Sequence, residues 1–485
     1  MLKRIDTWLW LLIAIVSSRL LTMAVIPMMD TTEARYAEIA RIMAETNDWI
    51  TPWFDYDVPF WGKPPLSFWL QALSFQIFGV TEFAARLPSW LVNVATLALI
   101  YKLTLTLASQ RQALIATLIY ATMALSHVMS GAVLTDPFLA LGTTLALTSI
   151  ILSLKQPGSI WRWGFFLGIS IGLLAKGPLA LVLIGGPLGM WLLWRRQWHC
   201  LHSLPWVRGT LLTIIATLPW YIAAELKSPG FINYFIIGEH FLRFVDSGWQ
   251  GDLYGSAHKQ AYGTIWLYWI WASLPWGPLA LLFLGWRWLN GNKINPLTKY
   301  SPSDAVCLLL LAAIFPSLFF TFSGNILWTY QLPGLAPLAI IIAMLPIPTI
   351  ARSRFTSINA KITLAFMPAL LLSVGVYTYI QPNKINTEKQ LVSYYDAQLE
   401  RTQSPLIYLD KAPFSARFYS RGKLTQMTLD EFKAYVNRTP ATTYFLSVAN
   451  NQVDNIRAEL LLKSKIKLKN KRFTLLEVIP LVNTT

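Results

Sequence analysis

The chain has 485 residues, of which 54% are hydrophobic and only 13% are charged, and its mean hydropathy is +0.45. So apolar a composition excludes an ordinary soluble domain and predicts a membrane protein. The net charge of +16 could indicate nucleic acid as a partner, but Lys and Arg recur in the short loops between apolar segments. That distribution is typical of the cytoplasmic loops of membrane proteins, so we expect no nucleic-acid partner.

Eleven apolar segments have roughly the 20 residues that a membrane-spanning helix needs. The first is too long for a secretory signal peptide, and no small-residue cleavage site follows it. If the N-terminus is cytoplasmic and the segments alternate, every basic loop falls on the cytoplasmic side. The pattern predicts an all-α polytopic membrane protein with about 11–13 transmembrane helices. The predicted spans are 8–27, 87–107, 112–130, 137–154, 162–176, 178–195, 209–225, 262–286, 304–322, 328–347 and 362–380.

The loops on the opposite, extracytoplasmic side carry a different set of residues. The long first loop, 28–86, and a later loop, 226–261, supply most of them. Charge beside hydrocarbon is costly and usually marks a site. We therefore expect an active site at the membrane interface on this side. Its charged and titratable residues are Asp30, Glu33, Arg35, Glu38, Lys63, Asp136, Lys176, Glu239, His240, Arg243 and His258.

The last portion of the chain, 381–485, is more polar and is also expected on the extracytoplasmic side. Strand-like runs at 406–409, 443–448 and 473–478 alternate with helical patterns. This alternation predicts a small α/β domain. The helical patterns cover about 411–421, 428–437 and 452–464. The chain then divides into a transmembrane catalytic domain, 1–380, and a C-terminal α/β domain, 381–485.

The first loop opens with an amphipathic helical pattern from Asp30 to Met43, which predicts a helix lying in the membrane interface. Asp30 could be its N-cap, and Glu33 could complete a capping box, so both carboxylates have a structural interpretation. A functional interpretation gains from Arg35, which follows on the same helix. We expect Asp30 and Glu33 to be catalytic candidates and Arg35 to bind phosphate.

Lys63 directly precedes two prolines, which remove two backbone donors and force an extended entry into the next segment. A lysine at this place could simply extend toward the membrane surface. We favour a phosphate-binding cation on a rigid turn, since lysine binds phosphate as a point charge. Asp136 begins a span next to a proline, where an N-cap role would also explain it.

Glu239, His240 and Arg243 lie within about one turn of a predicted short helix, and His258 follows further along. Glu and His are competent metal ligands, but their loose spacing is weak support for a metal. No glycine-rich phosphate loop and no dinucleotide fingerprint occurs in the sequence. An enzyme of this kind would need an activated substrate other than a soluble nucleotide. A lipid-linked sugar phosphate fits, with its lipid between the spans and its phosphate on Arg and Lys.

The first-loop residues resemble a known family. The run from Glu33 to Met43, together with Asp48-Trp49 and Lys63-Pro64-Pro65-Leu66, is similar to the first periplasmic loop of bacterial GT-C glycosyltransferases. The lipid A aminoarabinose transferases resemble it most, and protein O-mannosyltransferases resemble it more distantly. Weaker similarities follow in the same order over most of residues 1–345. They are Thr135-Asp136-Pro137, Ala175-Lys176-Gly177-Pro178, Glu239 to Phe244 with His258, and Tyr330 to Pro333.

The resemblance implies an inverting transfer of a sugar from a polyprenyl phosphate to a periplasmic acceptor, with lipid A or another envelope glycolipid as acceptor. The protein would lie in the bacterial inner membrane among membrane lipids. Arg35, Lys63 and Arg243 would bind the donor phosphate, and Asp30, Glu33 and Asp136 would be catalytic. Contacts to the acceptor or to a divalent metal would come from Glu239, His240, His258 and Tyr330.

Two positions depart from the family pattern. Thr32 stands where the family has an aspartate before its Glu-Ala-Arg-Tyr run, and Gly62 stands where it has a glutamate before Lys-Pro. The resemblance therefore leaves open which carboxylate is catalytic and whether a metal is bound. Three other functions also stay open. They are a protein O-mannosyltransferase, a flippase or transporter of lipid-linked sugars, and a protein that only binds such lipids.

Overall fold

The computed structural model describes residues 2–255, 258–290, 304–345, 354–402, 404–438, 443–460 and 463–479. Helices dominate the region up to residue 380, and a five-stranded sheet follows it. The first sixteen α-helices are α1 Leu2–Val25, α2 Thr32–Thr46, α3 Leu66–Phe78, α4 Glu82–Leu107, α5 Gln110–Thr122, α6 Ala124–Met129, α7 Asp136–Lys155, α8 Trp161–Lys176, α9 Leu179–Arg195, α10 Trp206–Lys227, α11 Arg243–Val245, α12 Ile265–Ala272, α13 Trp276–Leu289, α14 Asp304–Phe320, α15 Leu332–Met344 and α16 Arg354–Ile380. A π-helix, Asn233–Leu242, precedes α11.

Five helices of the described part are apolar and long enough to cross a membrane. They fall in α1, α4, α7, α10 and α16, and α12 with α13 would form a sixth if this pair, bent by 99°, is one span. Four further apolar helices have 10–17 residues. Because a helix rises about 1.5 Å per residue, these reach at most about 25 Å, short of the roughly 30 Å hydrocarbon core. The protein is thus a multi-pass helical membrane protein, and the total of 11–13 spans stays a prediction.

Three segments differ from the expected spans. The segment predicted at 262–286 is divided into α12 and α13, which are bent by 99°. The segment predicted at 112–130 is broken, because Met123 has an extended backbone (ψ 140°) and the N–H of Ala124 donates instead to the carbonyl of Leu274. Conversely, α3 is an apolar helix inside the predicted first loop. Its 13 residues are too short to cross a bilayer, and they pack beside α2.

The helices α7 and α8 pack closely against each other. A Cβ added at Gly142 would lie 2.7 Å from the carbonyl oxygen of Gly168, and one added at Gly168 would lie 2.5 Å from the carbonyl oxygen of Gly142. Small residues of this kind let helix backbones approach closely in membranes. The packing brings Asp136, at the start of α7, and Lys176, at the end of α8, to the same end of the helical region.

The first loop folds around α2, the helix that its pattern predicted. The charged Glu38 and Arg41 of α2 are buried in protein as well as its apolar residues, so a position in the membrane interface stays a prediction. Tyr36 of α2 meets the rings of Phe60 and Phe68 edge-on, at centroid distances of 5.9 and 5.4 Å. A small hairpin, β1 Trp53–Asp55 and β2 Val58–Pro59, lies between α2 and α3. Pro64 and Pro65 end the extended segment, and α3 begins at Leu66. Helix α2 begins at Thr32, so Asp30 lies before it.

The C-terminal region is an α/β domain, as expected. Its strands are β3 Leu406–Leu409, β4 Thr425–Met427, β5 Tyr444–Ala449, β6 Lys463–Lys469 and β7 Phe473–Ile479, and its helices are α17 Lys389–Thr402, α18 Phe414–Ser420, α19 Leu429–Arg438 and α20 Val453–Leu460. The sheet order is β4-β3-β5-β7-β6. Strands β3, β4 and β5 are parallel, and β7 runs antiparallel to β5 and β6. Helices α17 and α18 pack on one face, and α19 and α20 on the other.

The two edge strands, β4 and β6, were not predicted. Strand β6 alternates lysine with other residues, which gives it no continuous apolar pattern, and its first residues fell within a predicted helix. That helix, α20, ends earlier, at Leu460. Lysine is common on edge strands because it discourages pairing with another chain.

Candidate active site

A cavity of ≈ 690 Å³ lies where the start of α2, the Gly62-Lys63 turn, the facing ends of α7 and α8, and the loops around 239–258 and 323–330 meet. The ten residues given a catalytic, phosphate-binding or contact role from the sequence all line it, although they come from five separate stretches of the chain. They are Asp30, Glu33, Arg35, Lys63, Asp136, Glu239, His240, Arg243, His258 and Tyr330. Lys176 lines it as well, whereas Glu38, which was also expected at the site, is buried against Arg41 of the same helix and does not line it.

Glu239 joins the first loop to the later loop. Its Oε2 accepts a hydrogen bond from Lys63 Nζ at 3.0 Å, and its Oε1 accepts one from Arg243 Nη1 at 2.9 Å. Burial opposes ionisation of Glu239, but the two cations outweigh it and lower the pKa of this carboxyl to about 2. Lys63 and Arg243 therefore both contact the carboxylate of Glu239 at the cavity wall. The π-helix that carries Glu239 is a form often found at functional sites.

Asp136 and Lys176 form a second ion pair at the cavity. Asp136 Oδ1 accepts from Lys176 Nζ at 2.5 Å, and both side chains are only 9% exposed. Lys176 Nζ also lies 5.0 Å from the ring centroid of Tyr330, within the range of a cation–π contact. Among the described residues, Asp136 Oδ2 accepts no hydrogen bond. Asp136 is the first residue of α7 and the N-cap position is Thr135, so the N-cap explanation for Asp136 is wrong.

Glu33 pairs with Arg86, a residue that the sequence did not single out. Arg86 donates from Nε and Nη2 to the two carboxylate oxygens of Glu33, at 2.9 and 2.8 Å. The same guanidinium donates to the carbonyls of Met23, Ile26 and Pro27. Arg86 thus satisfies the free carbonyls at the end of α1, and Glu33 neutralises it. The long separation of these residues in sequence gave no local signal for this pair.

Asp30 is held by the C-terminal domain. Its Oδ1 accepts from the backbone N–H of Ser415 at 2.9 Å, and its Oδ2 accepts from the Ser415 hydroxyl and from Arg472 Nη2. The N-cap position of α2 is Thr31, and no side chain caps that helix. The capping-box explanation for Asp30 and Glu33 is therefore wrong, because stronger, long-range donors occupy both carboxylates.

Arg35 is the cavity cation with the most spare hydrogen-bonding capacity. Its Nη1 donates to the carbonyl of Tyr254, and its Nε is buried without a partner. Within the described residues, no carboxylate lies within 4.0 Å of Arg35. Arg243 Nε is likewise buried and unpaired. Both arginines line the cavity and are permanently charged, so both can attract an anion there.

The residues suggested as metal ligands do not gather as a ligand set. His240 places its ring nitrogens 2.7 and 2.9 Å from the carbonyls of Phe235 and Lys176, which fastens the loop to α8. Glu239 is shared by two cations, and no cluster of three His, Cys, Asp or Glu side chains suited to a metal occurs in the described part of the chain. At Gly62, a Cβ would lie 2.8 Å from the ring of Phe60. The residues present do not fit a divalent metal.

The two outer loops also hold each other. Asn325 Nδ2 donates to the carbonyls of Arg243 and Asp246, and its Oδ1 accepts from the N–H of Gly248. The backbone N–H of Ile326 donates to the carbonyl of His258 at 3.2 Å. The turn at residues 323–325 and the loop at residues 243–258 therefore form one wall of the cavity. The sequence analysis missed this role of Asn325, as well as the contribution of Asp252, which lies 3.4 Å from Arg243.

Comparisons with known proteins agree with this architecture. Residues 7–235 match the family model of the dolichyl-phosphate-mannose-protein mannosyltransferases. The chain is 30% identical over 354 residues to the undecaprenyl phosphate-α-4-amino-4-deoxy-L-arabinose arabinosyl transferase of Shewanella sediminis, a match that covers 72% of this chain and 61% of that protein. The corresponding Yersinia pestis protein is also 30% identical, over 71% of this chain and 60% of its own length. The chain thus spans about three fifths of these curated relatives.

The fold is similar to that of a solved structure over nearly the whole chain. ArnT from Cupriavidus metallidurans bound to undecaprenyl phosphate matches with a TM-score of 0.77 and 16% identity, over 97% of this chain and 98% of that one. The apo form of the same protein matches with a TM-score of 0.75 and 17% identity, with the same coverage. Sequence and fold thus agree in their similarity to the aminoarabinose transferases, and the chain is a multi-pass membrane protein with the fold of ArnT.

Proposed function

We propose that the protein is a membrane glycosyltransferase that moves a sugar from an undecaprenyl-phosphate donor to lipid A. The reaction would take place on the periplasmic side of the bacterial inner membrane. One observation carries the proposal: Arg35, Lys63 and Arg243, from two distant loops, converge on one cavity at the end of a bundle of apolar helices. The printed names of the curated relatives, which are arabinosyl transferases using undecaprenyl phosphate, support the donor class.

The donor phosphate would bind to the three cations. Arg35 and Arg243 line the cavity with planar guanidinium groups, which suit phosphate oxygens, and Lys63 adds a point charge 3.0 Å from Glu239. Glu239 offsets the charges of Lys63 and Arg243 while the site is empty. When the phosphodiester arrives, its oxygens accept hydrogen bonds from these cations, and the charge of the complex stays close to balanced. The apolar undecaprenyl chain would lie against the neighbouring helices.

In the chemical step, an acceptor oxygen attacks the anomeric carbon of the sugar. The bond from that carbon to the phosphate oxygen breaks, and undecaprenyl phosphate leaves with both electrons. Attack from the side opposite the leaving group inverts the anomeric centre. Arg35, Lys63 and Arg243 stabilise the negative charge that grows on the leaving phosphate, which is electrostatic catalysis. If the acceptor is a phosphate group, its oxygen is already anionic and no strong base is needed.

Asp136 is the carboxylate best placed to face the sugar or the acceptor. Its Oδ1 is fixed by Lys176, and its Oδ2 is free of hydrogen bonds among the described residues. It can accept the proton of an acceptor hydroxyl or stabilise positive charge on the sugar ring. Asp30 and Glu33 have both oxygens engaged by protein donors. We therefore assign them to the framework of the cavity rather than to the reacting atoms.

A protein acceptor is the second candidate, because residues 7–235 match a family of protein mannosyltransferases. A flippase is less well supported, since the cavity charges gather at one end of the helices instead of near their middle. The acceptor can be identified by mass spectrometry of lipid A, other envelope glycans and periplasmic proteins from a deletion strain. A glycoform of lipid A that disappears on deletion and returns with the gene supports the proposal. A missing protein glycoform would favour the second candidate.

A further inference from the structure

The segment just before α2 is fastened to the C-terminal domain at several points. Asp30 accepts hydrogen bonds from the Ser415 backbone and hydroxyl and from Arg472. Its backbone N–H donates to the carbonyl of Asn386 at 3.0 Å. The Asp30 side chain is only 5% exposed, so its charge depends on these partners for stabilisation.

Arg472 is itself held in place for this contact. The same Nη2 that meets Asp30 lies 2.8 Å from Glu388 Oε1, and Glu388 is fully buried. Asn470 donates from Nδ2 to Glu388 Oε2 at 2.7 Å. The turn between β6 and β7 therefore presents a guanidinium between two carboxylates, one from its own domain and one from the first loop.

The neighbouring backbone is anchored by the same domain. Thr387 Oγ1 donates to the carbonyl of Met28 at 2.7 Å, and the N–H of Met28 donates to the hydroxyl of Tyr419 at 2.7 Å. Residues 28–30 thus lie between the end of α1 and α2 with little freedom to move.

The first turn of α2 is built directly on this anchored segment. The N–H of Ala34 donates to the carbonyl of Met29, and the N–H of Arg35 donates to that of Thr31. Met29, Asp30, Thr31 and Arg35 all line the cavity. A shift of Asp30 would therefore move the backbone that carries Arg35.

We propose that Arg472 is a positioning residue, which holds Asp30 and through it keeps the Arg35 guanidinium at the donor-phosphate position. The C-terminal domain would thus serve the membrane site, although it supplies no group to the reacting atoms. The role rests on the proposed function, because it assumes that Arg35 binds the donor phosphate. It predicts that loss of the Arg472–Asp30 contact weakens donor binding and leaves the chemical step nearly intact.

The test compares Arg472→Met with Arg417→Met in the full-length protein. Arg417 also joins the C-terminal domain to the first loop, through an ion pair with Asp55 at 2.6 Å. Neither Arg417 nor Asp55 lines the cavity. Both substitutions replace an arginine by methionine. They differ because Arg472 contacts Asp30, which lines the cavity, whereas Arg417 contacts Asp55, which does not. Donor KM and kcat are measured in proteoliposomes, the Kd for undecaprenyl phosphate in detergent, and melting temperature for all proteins.

We expect Arg472→Met to raise the donor KM and the Kd for undecaprenyl phosphate about 10-fold, which is the cost of losing one hydrogen bond to a charged group. The kcat should stay within about 2-fold of the wild-type value. Arg417→Met should leave the KM and Kd within about 2-fold, and Arg472→Lys should recover part of the loss. Equal effects of the two Met variants would overturn the proposal. A fall in kcat at unchanged KM would also overturn it, because Asp30 would then act on the reacting atoms.

Two further measurements distinguish a folding defect and a failure of the proposed function from a failure of the positioning role. If Arg472→Met does not fold, Asp30→Asn replaces it, since the amide oxygen can still accept from Ser415 while the attraction to Arg472 is lost. The same rise in KM is then expected, and an unchanged KM refutes the role. If the wild-type protein binds no undecaprenyl phosphate and transfers no sugar, the proposed function itself has failed.

Discussion

Replacing Lys63 by methionine removes one of the three cations at the cavity while keeping most of the volume of the side chain. Lys63 is 19% exposed and Glu239 is 5% exposed, so both lie in a partly desolvated site. At 3.0 Å, such an ion pair is worth about 5.5 kcal/mol in Coulomb energy with an effective dielectric constant of about 20, before desolvation is subtracted. Arg243 still neutralises Glu239 at 2.9 Å, so the folded protein should tolerate the change.

The effect on the donor should be larger than the effect on folding. A hydrogen bond to a charged group contributes about 1.5–3 kcal/mol, and each 1.4 kcal/mol is about tenfold in affinity. We therefore expect Lys63→Met to raise the Kd for undecaprenyl phosphate about 10- to 150-fold. The assay is a titration of the purified protein in detergent, monitored by tryptophan fluorescence or by retention of radiolabelled lipid.

Lys227→Met is the matched control. Lys227 pairs with Asp48 at 2.5 Å in the same outer region and is 43% exposed, but it does not line the cavity. Its replacement should change the Kd less than about 2-fold, as expected for an exposed ion pair. If both variants bind the lipid as tightly as the wild type, the assignment of Lys63 to the donor phosphate is wrong.

Three further results are expected. Asp136→Asn should lower kcat about 100-fold or more with the donor Kd within about 2-fold, measured by single-turnover transfer, and an unchanged kcat would exclude Asp136 from the chemistry. Arg86→Met should destabilise the protein by about 3–5 kcal/mol because it leaves Glu33 without its partner, and the double variant with Glu33→Gln should recover part of that loss in detergent melting; additive losses would contradict the pairing. Burial opposes ionisation of Glu239, but neighbouring cations lower its pKa from 4.5 to about 2, so its contribution to stability is complete above about pH 4.5 and is lost as the pH falls toward 2. The melting-temperature difference between wild type and Glu239→Gln should narrow as the pH falls from about 4.5 to about 2. A constant difference would refute the stabilisation of the Glu239 carboxylate by these cations.

The residues that gather at the cavity could be predicted from the sequence because charged residues are rare in so apolar a chain. Alternation of the spans then assigns each loop to a side, and all ten candidates line one cavity. The α/β character of the C-terminal domain was also predictable, since its central strands β3, β5 and β7 are strongly apolar.

The hydrogen-bonding partners of the cavity residues Glu33 and Asp30 could not be predicted. Glu33 meets Arg86 across 53 positions, and Asp30 meets Arg472 across 442. Local rules suggested a helix cap for both carboxylates, because a cap needs only residues close in sequence. The long-range guanidinium groups win in the folded protein, since a buried carboxylate gains more from a cation than from a backbone N–H.

The break in the span at Met123 has the same origin. Its sequence is mostly apolar, but the N–H of Ala124 donates to the carbonyl of Leu274, about 150 positions further on. Hydropathy measures how apolar a segment is and contains no information about such a contact. The segment therefore looked like one unbroken helix from residue 112 to residue 130.

Photocrosslinking tests the central claim, that this cavity binds the lipid-linked phosphate, most directly. Undecaprenyl phosphate with a diazirine next to its phosphate would be activated on the wild-type protein in proteoliposomes, and the labelled peptides would be identified by mass spectrometry. We predict labelling within residues 29–36, 60–63 and 239–244, competed by unlabelled undecaprenyl phosphate. Labelling confined to helix surfaces that do not line the cavity, or labelling that the unlabelled lipid does not reduce, would contradict the account.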